Sequence, residues 1–234
     1  MSSRDISPVC RVWLWPCSIK STIDSLTEKL QSLGAEKSSK SFLVQCEHIT
    51  IKSARPPPPT TSQSSSSSQS FSSREFYRLS FPSENFSTFI IAPKFVSCLI
   101  DGTNNSSALT AISASWQIRQ STRVEGSVWK YGDFEIRVGA VRQEKSNSPI
   151  NYVCMEICYL PCYSLSFSVW NLLFDLASII FVGQENFMSA LNSFRPINSW
   201  PIFNDFQLSE QIFSTSHRAL LYSFTMGLIK AGNQ

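Results

Sequence analysis

VEGSVWKYGDFEIRVGAV, Val124–Val141, is the stretch that decides the fold. In its second arm Phe134, Ile136, Val138 and Ala140 alternate with Glu135, Arg137 and Gly139. A period of two marks a strand with one apolar face. Tyr131–Gly132–Asp133 has the composition and length of a tight turn, so a strand over about 122–131 meets a second one running from Phe134. The Glu and Arg positions of that second strand read as a solvated face.

Beyond this hairpin, VCMEICY repeats the pattern: Val153, Met155, Ile157 and Tyr159 alternate with Cys154, Glu156 and Cys158. Further strands fall at about 8–15, 41–51, 74–81, 86–92 and 95–101. Strands at this density, joined by short turns, predict an α+β class with a mainly antiparallel curved sheet or β-barrel carrying packed helices.

Four helices are expected. Ile23, Leu26, Leu30 and Leu33 form one stripe over 22–33, with a capping box at Ser21 and Asp24 and a stop at Gly34. A weaker stripe, Leu109, Ile112 and Trp116, places another at about 105–118. Over about 166–182 the polar residues Ser168, Asn171, Asp175 and Ser178 make a single narrow stripe, and nearly all other positions are bulky and apolar. Such a helix needs cover on more than one side, from its own sheet and from either the C-terminal segment or another chain. The last helix, about 209–230, sets Phe213, His217, Leu220, Leu221, Phe224 and Leu228 on one face, where His217 reads as a packed or hydrogen-bonded residue.

The sharpest change in composition is Arg55–Ser73, with Pro56–Pro59 followed by a serine-rich run. Polyproline and serine bury little. With strand-like sequence on both sides, the segment reads as a flexible insertion within a hairpin of one domain spanning 1–234.

Composition narrows the function. Hydrophobic residues make up 42% and charged residues 16%, which excludes wholesale disorder. A net charge of +3 is small for a dedicated nucleic-acid binder, and aromatics do not interleave with Lys or Arg as base-stacking platforms require. The charge is uneven: 17 basic and 12 acidic residues precede position 150, and three and five follow it. Seven cysteines, an odd number, suggest a reducing compartment rather than a disulfide framework. Leu165–Val182 is about as long as a membrane span, but a central Asp175 costs roughly 2.5–3.5 kcal/mol there, so no membrane is expected.

Candidate chemistry is sparse. Cys154, Cys158 and Cys162 are spaced by four, which along a strand spreads the outer two over roughly 26 Å, too far to share one zinc. They read as buried thiols. Neither a phosphate-binding glycine loop nor a nucleophile elbow nor an HExxH helix occurs. A metal-dependent phosphohydrolase of the triphosphate-tunnel type, the alternative reading, needs paired glutamates in an ExE pattern on an inward strand face. Here Glu135 is followed two residues on by Arg137, and Glu156 by Cys158. No catalytic, cofactor-binding or metal residue is expected.

Five segments in order then resemble one family: IDSLTEKLQSLGAEK (Ile23–Lys37), the Val124–Val141 pair, VCMEICYLPC (Val153–Cys162), WNLLFDLASIIFVG (Trp170–Gly183) and YSFTMGLIKAG (Tyr222–Gly232). Together they are similar to subunit 20 of the Mediator complex, the TATA-binding related factor family. The resemblance implies a non-enzymatic, nuclear subunit of the Mediator head module, without a cofactor, that links regulatory signals to RNA polymerase II initiation. It implies a strand barrel like that of Mediator subunit 18, pairing with that subunit, and a C-terminal helix of Mediator subunit 8 as a tether to the other head-module subunits. TATA-binding protein and RNA polymerase II are further implied contacts. A constitutive interface wants aromatic anchors, and nine of the 17 phenylalanines follow residue 150. Trp200, Phe203 and Phe206 are the candidate partner-binding residues.

Overall fold

The computed structural model describes residues 6–51, 75–84, 87–92, 98–101, 116–144, 152–182, 203, 208 and 212–226. Among these, eight strands and three helices follow one another as β1 (Val9–Pro16), α1 (Ile19–Ser32), β2 (Glu36–Ile51), β3 (Glu75–Phe81), β4 (Ser87–Ala92), β5 (Cys98–Asp101), β6 (Trp116–Tyr131), β7 (Phe134–Glu144), β8 (Tyr152–Tyr159), α2 (Phe167–Ile180) and α3 (Thr215–Thr225). All strands join one antiparallel sheet in the order β1-β8-β7-β6-β2-β3-β4-β5. The expected α+β class with a curved antiparallel sheet is what forms.

The sheet curls, and α3 shows how far. Arg218 of α3 bonds Glu156 on β8, and its guanidinium lies 4.4 Å from the ring of Phe81 on β3. In a flat sheet β8 and β3, with β7, β6 and β2 between them, would stand roughly 19 Å apart. One side chain can touch both only if the sheet wraps around the helix. Two local features favour the bend. Register shifts interrupt the long β2–β6 ladder at Lys37/Ser41 and His48/Ile49, and such bulges bend and twist a strand. Gly126 and Gly139 oppose each other on β6 and β7, where a Cβ on Gly126 would sit 1.9 Å from the Val138 carbonyl oxygen. Only glycine permits that approach.

Register sorts the residues between two faces. On the concave face lie Cys10, Val12, Glu156, Cys158 and Arg137, together with Phe42, Val44, Leu79 and Phe81 from the other wall. On the opposite face Trp13, Trp15, Val153, Met155, Ile136 and Val138 meet α1 and α2; Trp15 packs edge-on to Phe181 at 4.8 Å. Strand β8 is therefore buried on both sides, as are most residues of β1.

Several expectations need correction. Trp116 to Ile118 open strand β6 instead of closing a helix, while 105–115 lie outside the described residues. Helix α1 begins at Ile19 behind Ser18, so no capping box forms at Ser21, although Gly34 does end it with φ +83°. The last helix begins only at Thr215, because Ile212 and Ser214 make bridges to Ser164 and Ile6. Strands β2 and β3 are antiparallel neighbours with Thr50 facing Glu75, so the Pro- and Ser-rich segment, itself outside the described residues, connects a hairpin. No helix among the described residues is long and apolar enough to cross a membrane.

Candidate functional site

Two regions compete for the role of working surface. The first is the concave face where α3 enters. Cross-strand pairing sets Arg137 beside Glu156, and α3 brings Arg218 and Tyr222 onto the same carboxylate. Arg218 grips it with two nitrogens, Nε to Oε1 at 2.5 Å and Nη2 to Oε2 at 2.9 Å. Arg137 Nη1 and the Tyr222 hydroxyl also donate to Oε2, at 2.8 and 3.0 Å. Glu84, in the turn after β3, binds Arg218 Nη1 and lies 3.0 Å from Arg137 Nη2, which Glu135 approaches to 2.6 Å from its own strand.

This corrects the solvated reading of the strand carboxylates and guanidiniums. Glu156 is fully buried, and the Arg137 side chain is only 12% exposed. Burial alone would raise the Glu156 carboxyl, but Arg137 and then Arg218 outweigh it and hold the carboxyl down at about 2. The same attraction, above all from Glu156, outweighs burial at both arginines and lifts them above their ordinary range. Burial and then Glu156 push the Tyr222 hydroxyl up. At neutral pH Glu156, Arg137 and Arg218 are ions and Tyr222 is a neutral phenol.

The cluster's polar atoms are already engaged with one another. Cys10, Glu156 and Cys158 bring one donor atom each within 4.8 Å of the others, the spacing a metal would want. Both carboxylate oxygens, however, already accept guanidinium hydrogens, and burial holds the Cys10 thiol protonated far above its ordinary range. The donors do not fit a cation beside two guanidiniums. Cys154, expected as a buried thiol, is one, with Cys158; Cys162 is half-buried past the strand end.

The second region is the outer side of α2. Ser166 caps the helix by accepting the Val169 N–H at 3.3 Å. Trp170, Leu173, Leu176, Ala177 and Ile180 face the sheet. Beneath them Arg11 of β1 sits among the rings of Trp13, Trp170 and Phe174 at 5.1–5.2 Å, and its burial lowers it to about 10. On the far side Leu172 and Ile179 are 40% and 50% exposed, with Phe167 more so, as is Val182 just past the helix end. The polar stripe is real at Ser168 and Asp175, but apolar residues flank it.

Of the three anchors expected from the sequence, Phe203 is 1% exposed and meets His217 edge-on at 4.8 Å. Trp200 and Phe206 lie outside the described residues. His217, stacked also on Phe213 at 5.3 Å, accepts the Ser214 N–H through Nδ1 at 3.1 Å, the packed role expected of it. Sequence reasoning missed Glu156, Arg218 and Glu84. One signal was available: a single carboxylate in VCMEICY, apolar on both sides, demands a buried cation, and Arg218 in HRALLY is the matching oddity.

Comparison with known proteins is consistent across most of the chain. A family model described as TATA-binding related factor (TRF) of subunit 20 of Mediator complex matches residues 8–218. Mediator of RNA polymerase II transcription subunit 20 from Rattus norvegicus and from Homo sapiens are each 29% identical over 160 residues, 68% of this chain and 68% of theirs. Among solved structures, a chain of the Schizosaccharomyces pombe Mediator head module aligns with a TM-score of 0.38 at 11% identity, over 74% of this chain and 93% of that one.

Proposed function

The chain belongs to the Mediator subunit 20 family of transcription coactivator subunits, and on that premise we propose that it is a non-enzymatic, nuclear component of the Mediator head module that acts by holding partners in place. The observation that carries this reading is the outer side of α2, where Phe167, Leu172 and Ile179 stay exposed on a helix whose other side already has its sheet, with Val182 exposed just past its end. Apolar area left on a helix that is otherwise satisfied is the kind of surface a constitutive neighbour covers, and obligate pairs bury more than about 2,000 Å². The inward ions support the same reading, since a phosphohydrolase needs carboxylates free for metal and Glu156 is taken.

Mediator subunit 18 is the proposed occupant, with the subunit 8 helix as tether and other head-module subunits, TATA-binding protein and RNA polymerase II as more distant contacts. Trp200 and Phe206 remain proposed anchors; Phe203 is enclosed against His217. One domain spanning 1–234 is part of the proposal, supported by the Ser7 N–H that donates to the Phe213 carbonyl at 3.1 Å and joins the segment before β1 to the one before α3.

Co-expression with subunit 18 and subunit 8, followed by size-exclusion chromatography and crosslinking, tests it. Comigration with crosslinks near residues 167–182 is expected. A chain that elutes alone from every head-module subunit would overturn the proposal.

A further inference from the structure

We propose that Glu84 is a clasp: a surface carboxylate that holds the curl closed and seats α3, coupling the β3–β4 hairpin to the C-terminal helix. Glu135 serves Arg137 from the same strand, and Glu156 serves both arginines from the neighbouring one. Glu84 differs in coming from the opposite wall. It leaves the turn after β3, reaches Arg137 on β7 and Arg218 on α3, and so joins three elements through one carboxylate.

The turn is built to aim it. The Glu84 N–H donates to the Phe81 carbonyl at 2.9 Å, and Ser83 Oγ accepts the Leu43 N–H at 3.2 Å, fixing the turn to β2. Phe81 itself lies under the Arg218 guanidinium and edge-on to Tyr222 at 5.6 Å. With a side chain 35% exposed, Glu84 is also the member of the cluster most open to solvent, while Arg218 and Glu156 are 3% and 0% exposed. The buried helix thus has a handle on the surface, and releasing that handle frees the helix and the β3–β4 wall together.

Native-state hydrogen exchange on the full chain tests the coupling. In Glu84→Gln, exchange is expected to rise in parallel in peptides covering 76–81 and 217–225, by about tenfold or more, the loss that follows from removing hydrogen bonds between ions. Peptides from the β6–β7 hairpin should change far less. Glu125→Gln, which removes an exposed partner of Arg123, should change α3 less than about twofold. A rise confined to the turn, a rise in one of the two distant peptides without the other, or no change overturns the clasp. Should Glu84→Gln fail to fold, Glu84→Asp keeps the charge but shortens its reach, and is read by the same two peptides with the same outcomes.

Discussion

The less apolar of two helices is the one this protein buries all round. Helix α3 reads TSHRALLYSFT, yet every residue from His217 to Ser223 is buried. Helix α2 reads FSVWNLLFDLASII, and still leaves Phe167, Leu172 and Ile179 outside. Polarity alone therefore does not decide burial. Supplied partners do: Arg218 finds Glu156 and Glu84, Tyr222 finds Glu156, and Ser223 donates to the Ala219 carbonyl at 2.9 Å. An ion with its counter-ions can sit in a core, whereas apolar side chains on the outer helix stay exposed among the described residues.

The contrast is broken most forcefully at Glu156. Glu156→Ala leaves Arg218 buried without its main counter-ion, and removing one partner of a buried pair costs about 3–5 kcal/mol. Urea unfolding should show that loss; a change under about 1 kcal/mol would mean that α3 is held by apolar packing alone. Acid probes the same lock without mutation. The folded carboxyl sits at about 2 against an ordinary 4.5, so its contribution is complete above pH 4.5 and disappears as pH falls towards 2. The linked loss is about 3 kcal/mol, and an unfolding midpoint constant from pH 4.5 to 2 would contradict it.

Gly126→Ala tests the curl around that lock. The added methyl must displace backbone of β7, at the upper end of the roughly 1–3 kcal/mol typical of overpacking. A neutral result would show that β6 and β7 have room to separate. On the other side of the comparison, Leu172→Asp with Ile179→Asp should alter monomer stability by less than about 1 kcal/mol, as exposed positions do. The same pair should abolish comigration with subunit 18. Lost folding would show that these residues belong to the core, and undiminished comigration that the neighbour sits elsewhere.

How much of this was legible in the sequence varies with range. Alternation in Phe134–Ala140 and Val153–Tyr159 located the hairpin and β8, because local period reports which side chains share a face, but not that β8 is covered on both faces. The surplus of α2 was equally plain. Burial of Arg137 and Glu156 was not, since Glu and Arg alternating on a strand look the same whether water or a helix lies opposite. The helix that covers them is 62 residues from Glu156 at Arg218, and Glu84 is 134 from it; no local pattern carries pairings at that distance. The early start of β6 was hidden by Trp116, which fits a helical stripe and a strand equally well.

The most direct test of the claim that α2's outer side is the working surface is hydrogen exchange of the full chain with and without Mediator subunit 18. Strong new protection is expected in peptides covering 167–182, with the concave face and α3, already enclosed, little changed. Protection gained elsewhere while 167–182 exchanges as before would contradict it.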